Sequence, residues 1–146
     1  MKIEIRSPKT ESEWEAYYDL RYRILRAPLN KPRGSERNDK DAAGFHFALF
    51  EEDSIKAIAR LDQASEKIAQ VRFVAVENNS QGSGFGRLIM EATEDFAMKR
   101  GDTKMVLHAR DYAVDFYLKL NYLLIEKSHL LFGVLQHYLM EKEFSK

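Results

Sequence analysis

A predicted strand, a glycine-rich turn and a predicted helix follow one another between residues 69 and 99, and this succession constrains the fold most. Residues 69–76, AQVRFVAV, are apolar and β-branched, which is typical of a buried strand. Three of the chain's seven glycines then fall within QGSGFG, residues 81–86. Glycines clustered between a strand and a helix indicate that another group approaches the backbone there. From Gly84 onward the apolar side chains recur at helical spacing, at Phe85, Leu88, Ile89, Ala92 and Phe96.

The other segments predict an α/β (α+β) fold in which helices pack on one sheet. A capping box from Thr10 to Glu13 begins a helix that must end before Pro28. The long charged loop over residues 27–43 is of a kind that is usually functional or disordered. The chain of 146 residues is expected to be one domain, residues 1–146. Further predicted strands cover residues 2–6, 45–50, 54–61, 104–108, 122–127 and 136–141, and a short helix covers residues 112–120.

The composition disfavours several classes of protein. Lys plus Arg equals Asp plus Glu, 23 each, which argues against a dedicated nucleic-acid-binding protein. Without cysteine there is no disulfide framework, and the four histidines lack metal-motif spacing, so no metal site is predicted. No apolar run reaches the length of a membrane span, and the amino terminus lacks a signal-peptide pattern. We therefore expect a cytoplasmic protein that does not engage a membrane.

The position of the glycines predicts a phosphate-binding turn, because a helix amino terminus presents unpaired amides and a partial positive charge. Two common phosphate motifs do not fit. The GxGxxG fingerprint would require glycine at Arg87, and the next strand does not end in an acidic residue. The P-loop ending GK[ST] is also absent. A glycine-rich turn that binds no ligand remains an alternative.

Gln81, Gly84 and Gly86 instead fit the pattern [RQ]xxGx[GA], and this stretch resembles motif A of the GNAT superfamily of N-acetyltransferases. The carboxyl-terminal residues 135–142 are similar to the pattern I-P-H-x-x-M-x-K of a small bacterial branch, with Gln136 in place of proline. A helix-to-strand motif of the family, AxxFYxKxGF, is similar to residues 113–122, with Asn121 in place of glycine. The residues that match this motif are Ala113, Phe116, Tyr117 and Lys119.

The resemblance implies a mixed, mostly antiparallel central sheet flanked by helices. It also implies an acetyl-CoA-dependent N-acetyltransferase acting on a primary amine of a small molecule, peptide or protein. In that family the turn and the helix amino terminus hold the pyrophosphate of coenzyme A, the preceding strand pairs with the pantetheine arm, and the side chain of Arg87 could assist. The cofactor-binding residues implied here are Phe73, Val74, Ala75, Val76, Gln81, Gly82, Ser83, Gly84, Phe85, Gly86, Arg87 and Phe116.

The same resemblance implies catalytic roles. A backbone amide within residues 73–76 would polarise the thioester carbonyl, and Tyr117 would be the general acid. His108 is the first candidate for the base that accepts the amine proton. A structural role remains the alternative for both side chains. Arg110 occupies a position where the family often has asparagine, so it could contact the adenosine 3′-phosphate, an acidic substrate or only solvent. Further candidates for the base are His46, His137, Glu36, Asp39 and Asp41.

Two other functions remain open from the sequence. One is a GNAT-like domain that binds acyl-CoA as a sensor without turnover, and the other is a nucleotide-binding interaction domain. The resemblance allows a homodimer. The acceptor stays undefined among polyamines, amino sugars, amino acids, antibiotics and protein lysines. The charged loop over residues 27–43 would lie on the acceptor side.

Overall fold

A computed structural model describes residues 2–144 and contains a seven-stranded sheet flanked by helices. The strand order is β1-β2-β3-β4-β5-β7-β6, and every neighbouring pair is antiparallel except β4 and β5. The predicted mixed, mostly antiparallel sheet is therefore confirmed. The elements are β1 (Ile3–Arg6), α1 (Glu11–Leu25), β2 (Phe45–Glu51), β3 (Ser54–Ser65), β4 (Ile68–Val76), α2 (Phe85–Lys99), β5 (Lys104–Arg110), α3 (Val114–Lys119), β6 (Leu123–Leu131) and β7 (Leu135–Glu143).

The strands predicted at residues 54–61 and 122–127 are both too short. In the structure β3 reaches Ser65 and β6 reaches Leu131. The added residues are mostly exposed, so they carry no alternation of apolar and polar side chains. Backbone pairing with β4 and β7 holds these strand ends in place, which a local pattern cannot indicate.

Helices α1 and α2 pack on opposite faces of the sheet. Successive strand residues point to opposite faces, and the buried residues divide accordingly. Leu49 packs in one cluster with Ile89 and Met90 of α2. Its neighbour Ala48 packs in the other cluster with Tyr17 of α1. Complete burial of a side chain such as Ile89 contributes about 1.5–3 kcal/mol to folding.

Both side chains of the predicted capping box at the start of α1 accept a hydrogen bond from a backbone amide. The Thr10 hydroxyl accepts a hydrogen bond from the Glu13 amide, as expected. The Glu13 carboxylate accepts from the Lys9 amide at 2.8 Å and also from the Arg6 guanidinium at 2.9 Å. Because a charged guanidinium is a stronger donor than a neutral amide, the carboxylate turns toward β1 and joins the helix to the sheet.

The loop between α1 and β2 is held by two 3₁₀ turns and by buried arginines. The turns cover Ala27–Leu29 and Asp39–Ala42. Arg21 and Arg60, both fully buried, donate to the Asp41 carboxylate at 2.9 and 2.8 Å. Asp41 therefore ties the loop to both α1 and β3, and the loop has a defined conformation.

Candidate active site

A cleft opens where β4 and β5 separate. The two parallel strands pair only from Ile68–Gln70 to Lys104–Val106, while both continue beyond that point. Past the paired residues, β4 remains bonded to β3 and β5 remains bonded to β7. The separated ends enclose a cleft of about 750 Å³. A volume of this size accommodates a cofactor or small molecule.

The wall of the cleft formed by β4 contains a β-bulge at Phe73. Ile58 pairs with Ala75 and Arg60 pairs with Arg72, so two residues of β4 face a single residue of β3. Phe73 has a φ of 58°, which is rare for a non-glycine residue. A bulge interrupts the ladder and re-aims backbone groups. It lies within the segment where the sequence predicts a polarising amide, residues 73–76.

The glycine-rich turn lies at the mouth of the cleft and leads into α2. Gly82 and Gly84 have φ values of 87° and 90°, in the left-handed region that favours glycine. Gly84 is the residue preceding α2, and no side chain caps the helix there. The amides of the first turn therefore remain available to an anion. This geometry supports the predicted phosphate site.

Gly86 is required for packing between helices. A Cβ atom at this position would lie 3.0 Å from Cζ of Phe116 and 3.5 Å from Cγ2 of Val76. The sequence interpretation assigned all three glycines to approach of a ligand. The structure adds that Gly86 lets the start of α2 approach the Phe116 side chain of α3.

Most of the predicted cofactor-binding residues line the cleft, and two do not. Phe85 is buried in the core, so only its backbone can contact a ligand. The Ser83 hydroxyl donates to the Ser80 carbonyl. Arg87 lines the cleft and pairs with Glu91 at 2.9 Å, both side chains being more than half exposed. The predicted residues on the cleft are Phe73, Val74, Ala75, Val76, Gln81, Gly82, Gly84, Gly86, Arg87 and Phe116.

Tyr117 of α3 lies on the cleft with only 7% of its surface exposed. Burial raises the pKa of its phenol further above its ordinary value, and the hydroxyl is protonated at neutral pH. Its ring packs edge-on against Phe116 and Tyr122. The structure therefore places a protonated hydroxyl on the cleft, where a general acid is predicted.

Three histidines form a row on the β5–β7–β6 side of the cleft. The ring centroids of His108 and His129 are 5.3 Å apart, and those of His129 and His137 are 4.3 Å apart. Nδ1 of His137 donates to the Leu135 carbonyl at 3.1 Å, which leaves Nε2 as the unprotonated nitrogen. Burial lowers the pKa of all three imidazoles, to about 4 for His137. The row is neutral near pH 7 and can accept a proton.

His129 was missed by the sequence analysis. It becomes part of the row only because β6 and β7 pair antiparallel, with Leu130 opposite Gln136. No local pattern in the sequence indicates that register, so no signal could have identified His129.

The remaining candidates for the base lie away from the cleft. Nε2 of His46 donates to the Asp41 carbonyl at 2.8 Å, so its Nδ1 accepts from the Tyr17 hydroxyl at 2.7 Å. Both ring nitrogens are thereby engaged in structural hydrogen bonds. The carboxylates of Glu36, Asp39 and Asp41 belong to the α1–β2 loop and do not line the cleft.

Besides Arg87, three further arginines line the cleft: Arg26, Arg72 and Arg110. The sequence analysis identified only Arg110. Arg26 directly follows the last residue of α1 and Arg72 belongs to β4, and both reach the cleft because α1 packs against that strand. Within the described part of the chain, no group of three or more His, Cys, Asp or Glu residues could hold a metal ion. Across residues 2–144, no helix is long and apolar enough to cross a membrane.

The sequence model of the acetyltransferase (GNAT) family matches residues 11–122. The chain therefore belongs to the GNAT family, as the motifs predicted. The match covers α1 through α3, which includes the bulged strand, the glycine-rich turn and Tyr117.

Individual relatives agree with this assignment. The uncharacterised N-acetyltransferase YjcF of Bacillus subtilis (strain 168) is 22% identical over 135 residues, covering 92% of this chain and 96% of that protein. The crystal structure of Escherichia coli ElaA superposes with a TM-score of 0.81 at 18% identity, covering 97% and 99% of the two chains. An aminoglycoside 6′-N-acetyltransferase complexed with coenzyme A gives a TM-score of 0.81 at 14% identity, covering 98% and 97%.

Proposed function

We propose that this protein transfers an acetyl group from acetyl-CoA to a primary amine of a small molecule or peptide. The observation that carries the proposal is the cleft between β4 and β5, which has the uncapped amino terminus of α2 at its mouth. Family membership and the solved relative that binds coenzyme A support the same cofactor.

The backbone groups of the cleft suit two parts of coenzyme A, its pyrophosphate and its pantetheine arm. The uncapped first turn of α2 and the two left-handed glycines suit a pyrophosphate. The separated edge of β4 offers backbone groups to the amide-containing pantetheine arm, since β5 no longer pairs with them. When bound, acetyl-CoA supplies a thioester whose carbonyl carbon reacts with an amine.

The chain's own residues would serve the transfer in three ways. A neutral imidazole of the histidine row accepts the amine proton, directly or through water, and His108 is our first candidate. A backbone amide at the bulge, within residues 73–76, stabilises developing negative charge. The Tyr117 hydroxyl, which is protonated at neutral pH, donates its proton to the leaving thiolate.

The first experiment is thermal unfolding of the purified protein with saturating acetyl-CoA, coenzyme A, NAD or ATP. A ligand at about 100 times its dissociation constant stabilises the native state by roughly 2.7 kcal/mol. We expect a raised Tm with acetyl-CoA and coenzyme A only. A shift confined to NAD or ATP would refute the cofactor.

The second experiment measures release of free coenzyme A thiol with a panel of amines. Turnover of any amine establishes the transferase. Coenzyme A binding with no turnover across a broad panel would instead favour the acyl-CoA sensor.

A further inference from the structure

Three arginines on the cleft have no carboxylate partner. Within residues 2–144, Arg26, Arg72 and Arg110 form no ion pair with an acidic side chain, although all three line the cleft. The neighbouring Arg21 and Arg60 differ, because both pair with Asp41. Three uncompensated guanidinium groups in one half-buried space favour binding of an anion.

The three guanidinium groups share one region of the cleft. Nη2 of Arg110 donates to the Leu25 carbonyl at 2.8 Å, beside Arg26. The guanidinium carbons of Arg26 and Arg72 lie 5.6 and 5.1 Å from the ring centroid of Phe73. Burial and the charges of Arg110, Arg21 and Arg72 lower the pKa of Arg26 to about 10. The charge of Glu36 opposes this shift only in part, so the positive charge around Arg26 predominates.

Arg72 is not placed to bind the pyrophosphate of the cofactor. Arg72 precedes Val76, the last residue of β4, by four positions, and a strand rises about 3.3 Å per residue. Arg72 therefore lies on the order of 13 Å along the strand from the end that leads to the glycine-rich turn. It lies close enough to His108 and His129 to lower the pKa of both imidazoles. Arg72 thus adjoins the proposed base, and Arg110 of β5 pairs with His137 of the same row.

We propose that the acceptor is an amine that also carries a carboxylate or phosphate group, and that Arg26, Arg72 and Arg110 bind this anionic group. The inference rests on the proposed acetyltransferase function and names its class of substrate. The anion on the arginines would hold the amine of the same molecule near the histidine row.

Matched acceptors test the charge requirement in the wild-type protein. The carboxylate pair is β-alanine with β-alaninamide, the phosphate pair is phosphoethanolamine with ethanolamine, and putrescine is the cationic acceptor. Coenzyme A release gives kcat/KM for each. In at least one pair, we expect kcat/KM for the anionic acceptor to exceed that for its neutral partner at least about tenfold. A preference of this size is what hydrogen bonds to a charged group provide. Preference for the neutral members or for putrescine would overturn the proposal.

Variants test the arginines themselves. Arg72→Gln and Arg110→Gln should raise KM for the preferred anionic acceptor about tenfold or more, with an unchanged Kd for coenzyme A. The matched control is Arg6→Gln, which alters an arginine of β1 that does not line the cleft. Loss of coenzyme A affinity with an unchanged acceptor KM would contradict the proposal, because the arginines would then serve the cofactor.

A binding measurement separates this inference from the proposed function. With coenzyme A saturating, inorganic phosphate should raise the Tm of the wild type and of Arg6→Gln, and should raise it less in the double variant Arg72→Gln/Arg110→Gln. Equal phosphate shifts in all three proteins would refute the arginine site. Failure of coenzyme A itself to shift the Tm would refute the proposed function instead.

Discussion

At the scale of single residues, the environment of each tyrosine decides what its hydroxyl can do. The Tyr122 hydroxyl donates to the Glu94 carboxylate at 2.8 Å and is therefore occupied by a structural hydrogen bond. Tyr117 is also buried but lies on the cleft. The ring centroids of Tyr117 and Tyr122 are 5.8 Å apart, so the two rings lie in the same part of the core. They differ mainly in the hydrogen-bond partner of the hydroxyl.

Replacement of Tyr117 by phenylalanine should lower kcat about a hundredfold or more, because general acid catalysis contributes roughly 10²–10⁴-fold. The fold and the affinity for coenzyme A should change little, since the ring that packs against Phe116 is retained. Steady-state kinetics with thiol release, together with coenzyme A binding, measures both effects.

The matched control is Tyr122→Phe. This change removes a buried hydrogen bond to Glu94 and should cost about 1–3 kcal/mol of stability while kcat is retained. Unchanged kcat in Tyr117→Phe would assign Tyr117 a purely structural role.

At the scale of elements, the contact between the start of α2 and α3 depends on the absence of a side chain at Gly86. The Cβ of alanine would lie 3.0 Å from Cζ of Phe116, which is closer than packed carbon atoms approach. Gly86 has an ordinary helical backbone, so no strained φ is involved. In a Gly86→Ala variant, steric overlap with Phe116 would therefore lower the stability, while the higher helix propensity of alanine would raise it.

Gly86→Ala should lower the free energy of unfolding by roughly 1 kcal/mol. Overpacking costs about 1–3 kcal/mol, while the gain in helix propensity is about 1 kcal/mol. Urea unfolding measures the net effect. In the double variant Gly86→Ala/Phe116→Leu, the alanine should be less costly than in the wild type, because the smaller side chain relieves the overlap. An equal cost in both backgrounds would show that Phe116 is not what requires glycine.

At the scale of the whole molecule, local sequence patterns predict the elements well and the site only in part. The glycine-rich turn, the following helix and the motif around Tyr117 are continuous in sequence, so residues 81–87 and 113–122 can be interpreted directly. The cleft depends instead on where two distant strands cease to pair. No property of residues 71–76 alone shows that β5 moves away from them.

The same limit explains which site residues escaped prediction. Arg26, which follows α1, and Arg72 of β4 are 46 positions apart in the sequence, and α1 packing on β4 brings their guanidinium groups to one ring, that of Phe73. The bulge that gives Phe73 a positive φ cannot be predicted from the sequence either, because phenylalanine has no preference for that conformation. The sequence thus identifies the side of the cleft formed by the glycine-rich turn better than the side formed by the arginines.

The stability of the whole molecule should depend on pH through its buried histidines. His137 has a folded-state pKa of about 4 against an ordinary value of 6.5, because burial and the neighbouring His129, Arg110 and His108 disfavour its cation. Between pH 6.5 and 4 the unfolded chain therefore binds more protons than the native protein. The contribution of His137 to native stability is fully present above pH 6.5, and it is lost as the pH decreases toward 4. The pKa values of His108, His129 and His46 are lowered too, so their contributions have the same sign.

We expect the free energy of unfolding to fall by roughly 2 kcal/mol from His137 alone between pH 7.5 and 4.5, since one pKa unit corresponds to about 1.36 kcal/mol. Urea unfolding at both pH values measures this change. His137→Asn removes the titrating ring and keeps a donor for the Leu135 carbonyl, so its loss over the same interval should be smaller by roughly that amount. Paired carboxylates such as Asp41 do not obscure the comparison, because they are present in both proteins and their effect cancels in the difference. Identical pH dependence in the wild type and His137→Asn would mean that His137 titrates normally in the native protein, and that the row is open enough to water to hold a proton near pH 6.5.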